Sequence, residues 1–79
     1  MSRLPLPELP VVSGRQARRA FEEHGWIFQR QTASHMILTK PGSIVSLSIP
    51  DHDELARGTL RKLVRLAGLS VEDFRAAVR

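Results

Sequence analysis

Ala17, Ala20, Phe21 and His24 recur at the i, i+3, i+4, i+7 spacing of one helix face, and Ser13 with Gln16 three residues later supplies a capping box to start that helix. Gly25 stops it. The run from Trp26 to Gln31 is rich in aromatic and branched side chains and predicts a strand, while Thr32 to Ser34 is short and polar enough for a hairpin connection. A second strand is expected over His35 to Lys40. Beyond the turn residues Pro41, Gly42 and Ser43, Val45, Leu47 and Ile49 alternate with Ser46 and Ser48, the pattern of an antiparallel strand with one wet face, which Pro50 ends. Asp51 to Gly58 reads as a polar loop. Leu60, Leu63, Val64 and Ala67 then form an apolar helical stripe with Arg61, Lys62 and Arg65 pointing elsewhere, and Gly68 closes that helix. Ser70 and Asp73 repeat the capping spacing to open a short last helix carrying Val71, Phe74 and Val78.

This order predicts an α+β fold: a small three-stranded antiparallel sheet with two helices on one face, followed by a short C-terminal helix. The α-β-β-β-α layout is that of double-stranded-RNA-binding domains. Residues 1 to 12 carry Pro5, Pro7 and Pro10 between single apolar residues and read as an extended arm, which leaves 13 to 79 as a single domain. The arm lacks the continuous apolar block of a signal peptide, and no stretch approaches the roughly 20 apolar residues of a membrane span. A chain of 79 residues buries only roughly 60 to 65% of its unfolded surface, so a deep enclosed pocket for a small molecule is not expected. Twelve Lys and Arg against eight Asp and Glu give a net charge of +4, which favours a polyanion or an acidic protein as partner. The absence of Cys excludes disulfides and thiolate metal sites and makes a reducing cytoplasm the simplest home.

Three histidines are available for chemistry. His24 falls in the last turn of the first helix, where capping or packing accounts for it. His52, between Asp51 and Asp53, is a solvated loop residue that can touch RNA. His35 opens the second strand beside the hairpin turn, with Ser34 before it and Arg30 and Lys40 near in sequence, an exposed position at the end of an element. Metal-free RNA cleavage is one reaction that needs only such a group: the ribose 2′-OH must lose a proton to attack the adjacent phosphate, and the leaving 5′-oxygen must gain one. Imidazole is the side chain suited to either transfer near neutral pH. Cations then stabilise the charge developing on the phosphoryl oxygens, for which Arg30, Lys40 and Arg61 are candidates, with Lys62 on the same basic helix. Since Met36, Ile37 and Leu38 are all apolar, parity does not tell which sheet face His35 occupies. No phosphate-binding Gly-rich loop, zinc-type His pair or Ser-His-Asp arrangement is present, so no cofactor or metal is expected. Asp51, His52 and Asp53 are adjacent, and neighbouring residues of an extended chain point apart and rarely converge on one ion. Trp26 and Phe28 read as core aromatics.

Gly25-Trp26, Arg30-Gln31, Ser34-His35, Pro41-Gly42, Ile49-Pro50, His52, Glu54-Leu55, Gly58-Thr59-Leu60-Arg61 and Ala67-Gly68-Leu69-Ser70 form an ordered set. It resembles the HicA-type toxins of toxin–antitoxin systems, also called YcfA-like proteins, from about Val11 to Phe74. The resemblance implies a double-stranded-RNA-binding-like fold, cleavage of mRNA as an endoribonuclease, and neutralisation by a HicB-type antitoxin. It places the family's catalytic histidine, which follows Gly-Ser, at His35. Ser34 then orients or caps, and Arg30, Lys40, His52, Arg61 and Lys62 contact RNA. The family's Gly position is Ala33 here, so a turn needing positive φ there carries a steric cost. Two other functions fit the same charge: a non-catalytic RNA-binding module and a basic protein-interaction module.

Overall fold

The computed structural model describes residues 8–79. The arm's Pro5 and Pro7 lie outside the described residues. From Glu8 onward the chain forms α1 (Gly14–Glu22), β1 (Ile27–Thr32), β2 (His35–Thr39), β3 (Leu47–Pro50), α2 (Arg57–Leu66) and α3 (Val71–Ala77). The strands make one antiparallel sheet in the order β1-β2-β3, giving the α+β architecture expected from the hydrophobic pattern.

Local signals explain most boundaries. At the start of α1 the capping box is complete: Ser13 Oγ accepts from Gln16 N at 3.1 Å, and Gln16 Oε1 accepts from Ser13 N at 2.9 Å. At α3 only half of the equivalent box forms, with Ser70 Oγ accepting from Asp73 N at 3.0 Å. An Asp side chain is one methylene shorter than Glu and does not complete the return bond. The third strand begins at Leu47 rather than Val45 and includes Pro50 as its last residue. Its parity is as expected, with Leu47 and Ile49 buried and Ser46 and Ser48 exposed.

The polar loop after β3 is shorter than the sequence suggests, because α2 begins at Arg57 and takes in Gly58. Its N-cap, Ala56, offers no side-chain bond, so the usual polar start signal is missing. An apolar one replaces it. Leu55 and Leu60 stand at the positions of a hydrophobic staple, both buried and lining the same small cavity. Gly68, at φ 75°, ends α2 in a Schellman motif, with Leu69 N donating to Val64 O and Gly68 N to Arg65 O.

The inner face of the sheet supplies Met36, Leu38, Leu47 and Ile49 to the core, against Ala17, Ala20 and Phe21 of α1 and Leu60, Leu63 and Val64 of α2. Phe21 and Phe74 pack at 5.2 Å between ring centroids and tie α3 to α1, a pair worth about 0.5 to 1.5 kcal/mol beyond area burial. Trp26 is buried, as read from sequence, with no partner for its Nε1 among the described residues. Leu9 and Val12, before the first helix, also sit in this core.

One backbone approach fixes how α1 meets the sheet. Gly14 is buried, donates its N–H to His52 O at 2.9 Å, and would drive any Cβ into the carbonyl oxygen of Pro50. Gly58 has open space at the corresponding position. Gly14→Ala is therefore expected to destabilise by about 1 to 3 kcal/mol through overpacking, whereas Gly58→Ala is expected to stabilise by about 0.5 to 1 kcal/mol through lower unfolded-state freedom. Thermal unfolding of the two variants checks the opposite signs, at about 4 to 8 °C per kcal/mol for a domain of this size.

Candidate functional site

The face on which His35 lies is settled by strand pairing. Met36 and Leu38 are buried, so His35, Ile37 and Thr39 point to the outer face, away from the core. His35 is exposed and stands opposite Thr32 on one side and Pro50 on the other.

A bulge in β1 brings a cation to the same face. Phe28 pairs with Leu38 and Arg30 with Ile37, so Gln29 is the extra residue. Without it Phe28 and Arg30 would share a face. With it, Phe28 turns inward beneath the Arg18 guanidinium, 3.8 Å from its ring centroid, while Arg30 turns outward. Arg30 is then the diagonal neighbour of His35 across the β1-β2 pair, at a typical Cβ separation of about 7 to 8 Å that a long side chain spans.

The second cation comes from α2. A groove of about 340 Å³ is lined by His35, Ser46, Ser48, Pro50, Thr59, Lys62, Leu63 and Leu66. Lys62 and Thr59 are three residues apart on one helix face, and Ser46 and Ser48 are the outward residues of the third strand. One groove thus brings together a histidine, a lysine and three hydroxyl-bearing residues. Ser34 Oγ lies 3.4 Å from His35 Nδ1, a long contact whose direction depends on the tautomer.

Other sequence candidates sit elsewhere. Lys40 follows β2 at the end remote from His35, with its aliphatic chain beside Gly25. Arg61 is one residue from Lys62, a rotation of about 100° on a helix, and lines a different groove with Leu9, Val64 and Leu69. His52 is exposed in the loop after β3 and is not part of the His35 groove. The structure thus gathers His35, Arg30, Lys62 and Ser34 at one end of the sheet and leaves Lys40 and Arg61 apart, while His52 lies at that same end but outside the groove. The three groove hydroxyls were not singled out from sequence. Their signal was present, since Ser46 and Ser48 follow the strand's alternation and Thr59 precedes Lys62 by one helical turn.

Asp51 organises the end of the sheet where these residues meet. Its N–H donates to Ser34 O at 2.7 Å, its Oδ2 accepts from Gln31 Nε2 at 3.1 Å, and its Oδ1 accepts from Arg15 Nε at 3.4 Å. Its carboxylate is thus committed to α1 and β1 rather than to His52 and Asp53.

Ala33 has a φ of 45°. It is the first of two residues between the paired Thr32 and His35, and among the described residues it is the one non-glycine with positive φ. The steric cost expected at this position is therefore present in the fold.

An α+β domain with a three-stranded antiparallel sheet, three helices and an exposed histidine at one end of the sheet is the class that this fold defines. Residues 14–69, more than half of the chain, match the family model of the HicA toxin of bacterial toxin–antitoxin systems, and the chain belongs to that family. Membership makes it the toxin of such a pair, with an antitoxin as its partner. No curated protein matches the chain. Among the described residues no helix is long and apolar enough to cross a membrane.

Replacing the strained residue tests the local geometry. Ala33→Gly is expected to stabilise the domain by about 1 kcal/mol, the lower end of the cost of a left-handed residue with a Cβ. A higher melting temperature, by a few degrees, is the outcome to look for. An unchanged or lower one would mean that the turn carries no strain.

Proposed function

We propose that this toxin is a metal-independent endoribonuclease that cleaves mRNA in the cytoplasm with His35 as its catalytic residue, and that its partner is a HicB-type antitoxin. The observation that carries this proposal is the placement of His35, exposed on the outer sheet face in a groove it shares with Lys62. An open trough suits an RNA strand better than a small molecule, and the sheet's outer face leaves room for the chain on either side of the scissile bond.

The chemistry follows from these groups. The ribose 2′-oxygen attacks the adjacent phosphorus as it loses its proton, and the bond to the 5′-oxygen breaks as that oxygen gains one. The products are a 2′,3′-cyclic phosphate and a 5′-hydroxyl. The His35 imidazole takes or delivers one of these protons. Lys62 and Arg30 stabilise the negative charge that builds on the phosphoryl oxygens, in a site where they are already positioned. Ser34, bonded through its carbonyl to Asp51 N, steadies the turn that carries the imidazole. Lys40, at the other end of β2, and Arg61, in a different groove, are assigned to more distant RNA contacts, and His52, at the His35 end of the sheet but outside its groove, to a neighbouring one.

His35→Ala is expected to lower cleavage by about 10² to 10⁴ fold, the usual contribution of a general acid or base, while RNA affinity is kept. Lys62→Gln is expected to slow cleavage less. The check is inducible expression at matched soluble levels, with growth and new RNA ends recorded in parallel. Equal growth arrest and equal RNA ends from wild type and His35→Ala would remove His35 from the reaction.

A further inference from the structure

The basic face of α1 takes no part in the reaction proposed above. Arg15, Arg18 and Arg19 wall a cleft of about 260 Å³ whose other sides are Glu22, Gln31 and the edge of Met36. It lies on the inner side of the sheet, beside β1 and at the same end as His35. Gln31 is followed directly by Thr32, which pairs with His35 on the outer side. Only the hairpin tip, Thr32 to Ser34, separates the cleft from the His35 groove, and that tip is exposed and polar.

Resting on the ribonuclease function proposed above, we infer that this cleft is a second RNA contact, holding the phosphodiester backbone of the strand after it crosses the hairpin tip. Three observations favour a polyanion. Two of the guanidiniums are held by their Nε alone: Arg15 by Asp51 at 3.4 Å and Arg18 by Glu22 at 3.3 Å. Their terminal nitrogens make no hydrogen bond among the described residues. A guanidinium bonded only through Nε leaves its planar fork free, the geometry that fits phosphate oxygens. The Phe28 ring beneath Arg18 fixes the plane of one fork.

Arg19 makes no ion pair among the described residues. Three arginines thus stand against two carboxylates, Glu22 in the cleft and Asp51 behind Arg15 and Gln31. Met36 is 1% exposed, so the cleft has no apolar anchor of the kind that forms the centre of a protein interface. The groove beside Leu9, Val64, Leu69 and Val71 is of the apolar kind. Charge without apolar surface is the signature of a backbone contact.

The test is the salt dependence of binding of a labelled single-stranded RNA oligonucleotide of mixed sequence to the full chain carrying His35→Ala. Adding Arg15→Gln and Arg19→Gln, which leaves the Arg18 stack intact, is expected to weaken binding about tenfold at moderate salt. The slope of log affinity against log salt should become shallower by about 0.7 for each arginine. Arg15→Lys keeps the charge and loses the fork, so it should keep the slope and lose part of the affinity.

An unchanged slope and affinity in a double variant that melts like its parent would overturn the inference. So would a variant that keeps RNA but no longer binds its antitoxin, which would make the cleft a protein surface. The proposed function fails separately: should the cleft variants lose RNA affinity while His35→Ala still cleaves, the second contact stands and the catalytic assignment falls. If the parent binds no RNA at any salt, both are overturned.

Discussion

The close approach of Gly14 to the Pro50 carbonyl is the constraint on which the candidate site depends. At this point the first turn of α1, the end of β3 and the hairpin tip come within backbone hydrogen-bonding distance of one another. Gly14 N reaches His52 O, Asp51 N reaches Ser34 O, and Leu55 N reaches Val12 O, all within 2.9 Å. Buried backbone groups must find partners, and these three bonds satisfy segments that belong to no common helix or sheet ladder. Pro50 is also the residue opposite His35. Position and orientation of the imidazole are therefore coupled to the start of α1, on the far side of the sheet.

Much of this was legible from sequence because it is governed by short-range rules. The complete capping box at Ser13 and Gln16 and the alternation of the third strand each fixed an element by spacing alone. Where the rules fell silent, the reasons are physical. The start of α2 rests on an apolar staple between Leu55 and Leu60 rather than on a polar cap, and a staple does not stand out in a chain with many leucines. Parity failed on the first two strands for different causes. Met36, Ile37 and Leu38 are all apolar, and the bulge at Gln29 reverses the alternation halfway along β1. A bulge has no dependable signature in one sequence, so the meeting of Arg30 with His35 on the outer face could be read only from the paired strands.

The cations show the same limit. Lys40 is five residues from His35 in sequence and Lys62 is 27 away. An extended strand rises about 3.3 Å per residue, so nearness in sequence becomes distance along β2, while α2 returns Lys62 to the groove. Sequence reasoning could pick basic residues by type. It could not tell that Arg61 and Lys62, adjacent on one helix, serve different grooves.

Strain and exposure fall at the same end of the molecule. Ala33 holds a backbone conformation that glycine would adopt more easily, directly before Ser34 and His35. Local strain persists only where the surroundings over-determine it, and here they do: Thr32 is paired with His35, Ser34 O is held by Asp51 N, and Asp51 is held by Gln31 and Arg15. The core lies elsewhere, around Phe21, Phe74 and the inner sheet face. A domain of this size has little stability to spare, and its left-handed alanine sits two residues before the histidine that shares a groove with Lys62. The stability lost at the tip is small against the core that supports it, and it is lost in fixing the turn from which the imidazole projects.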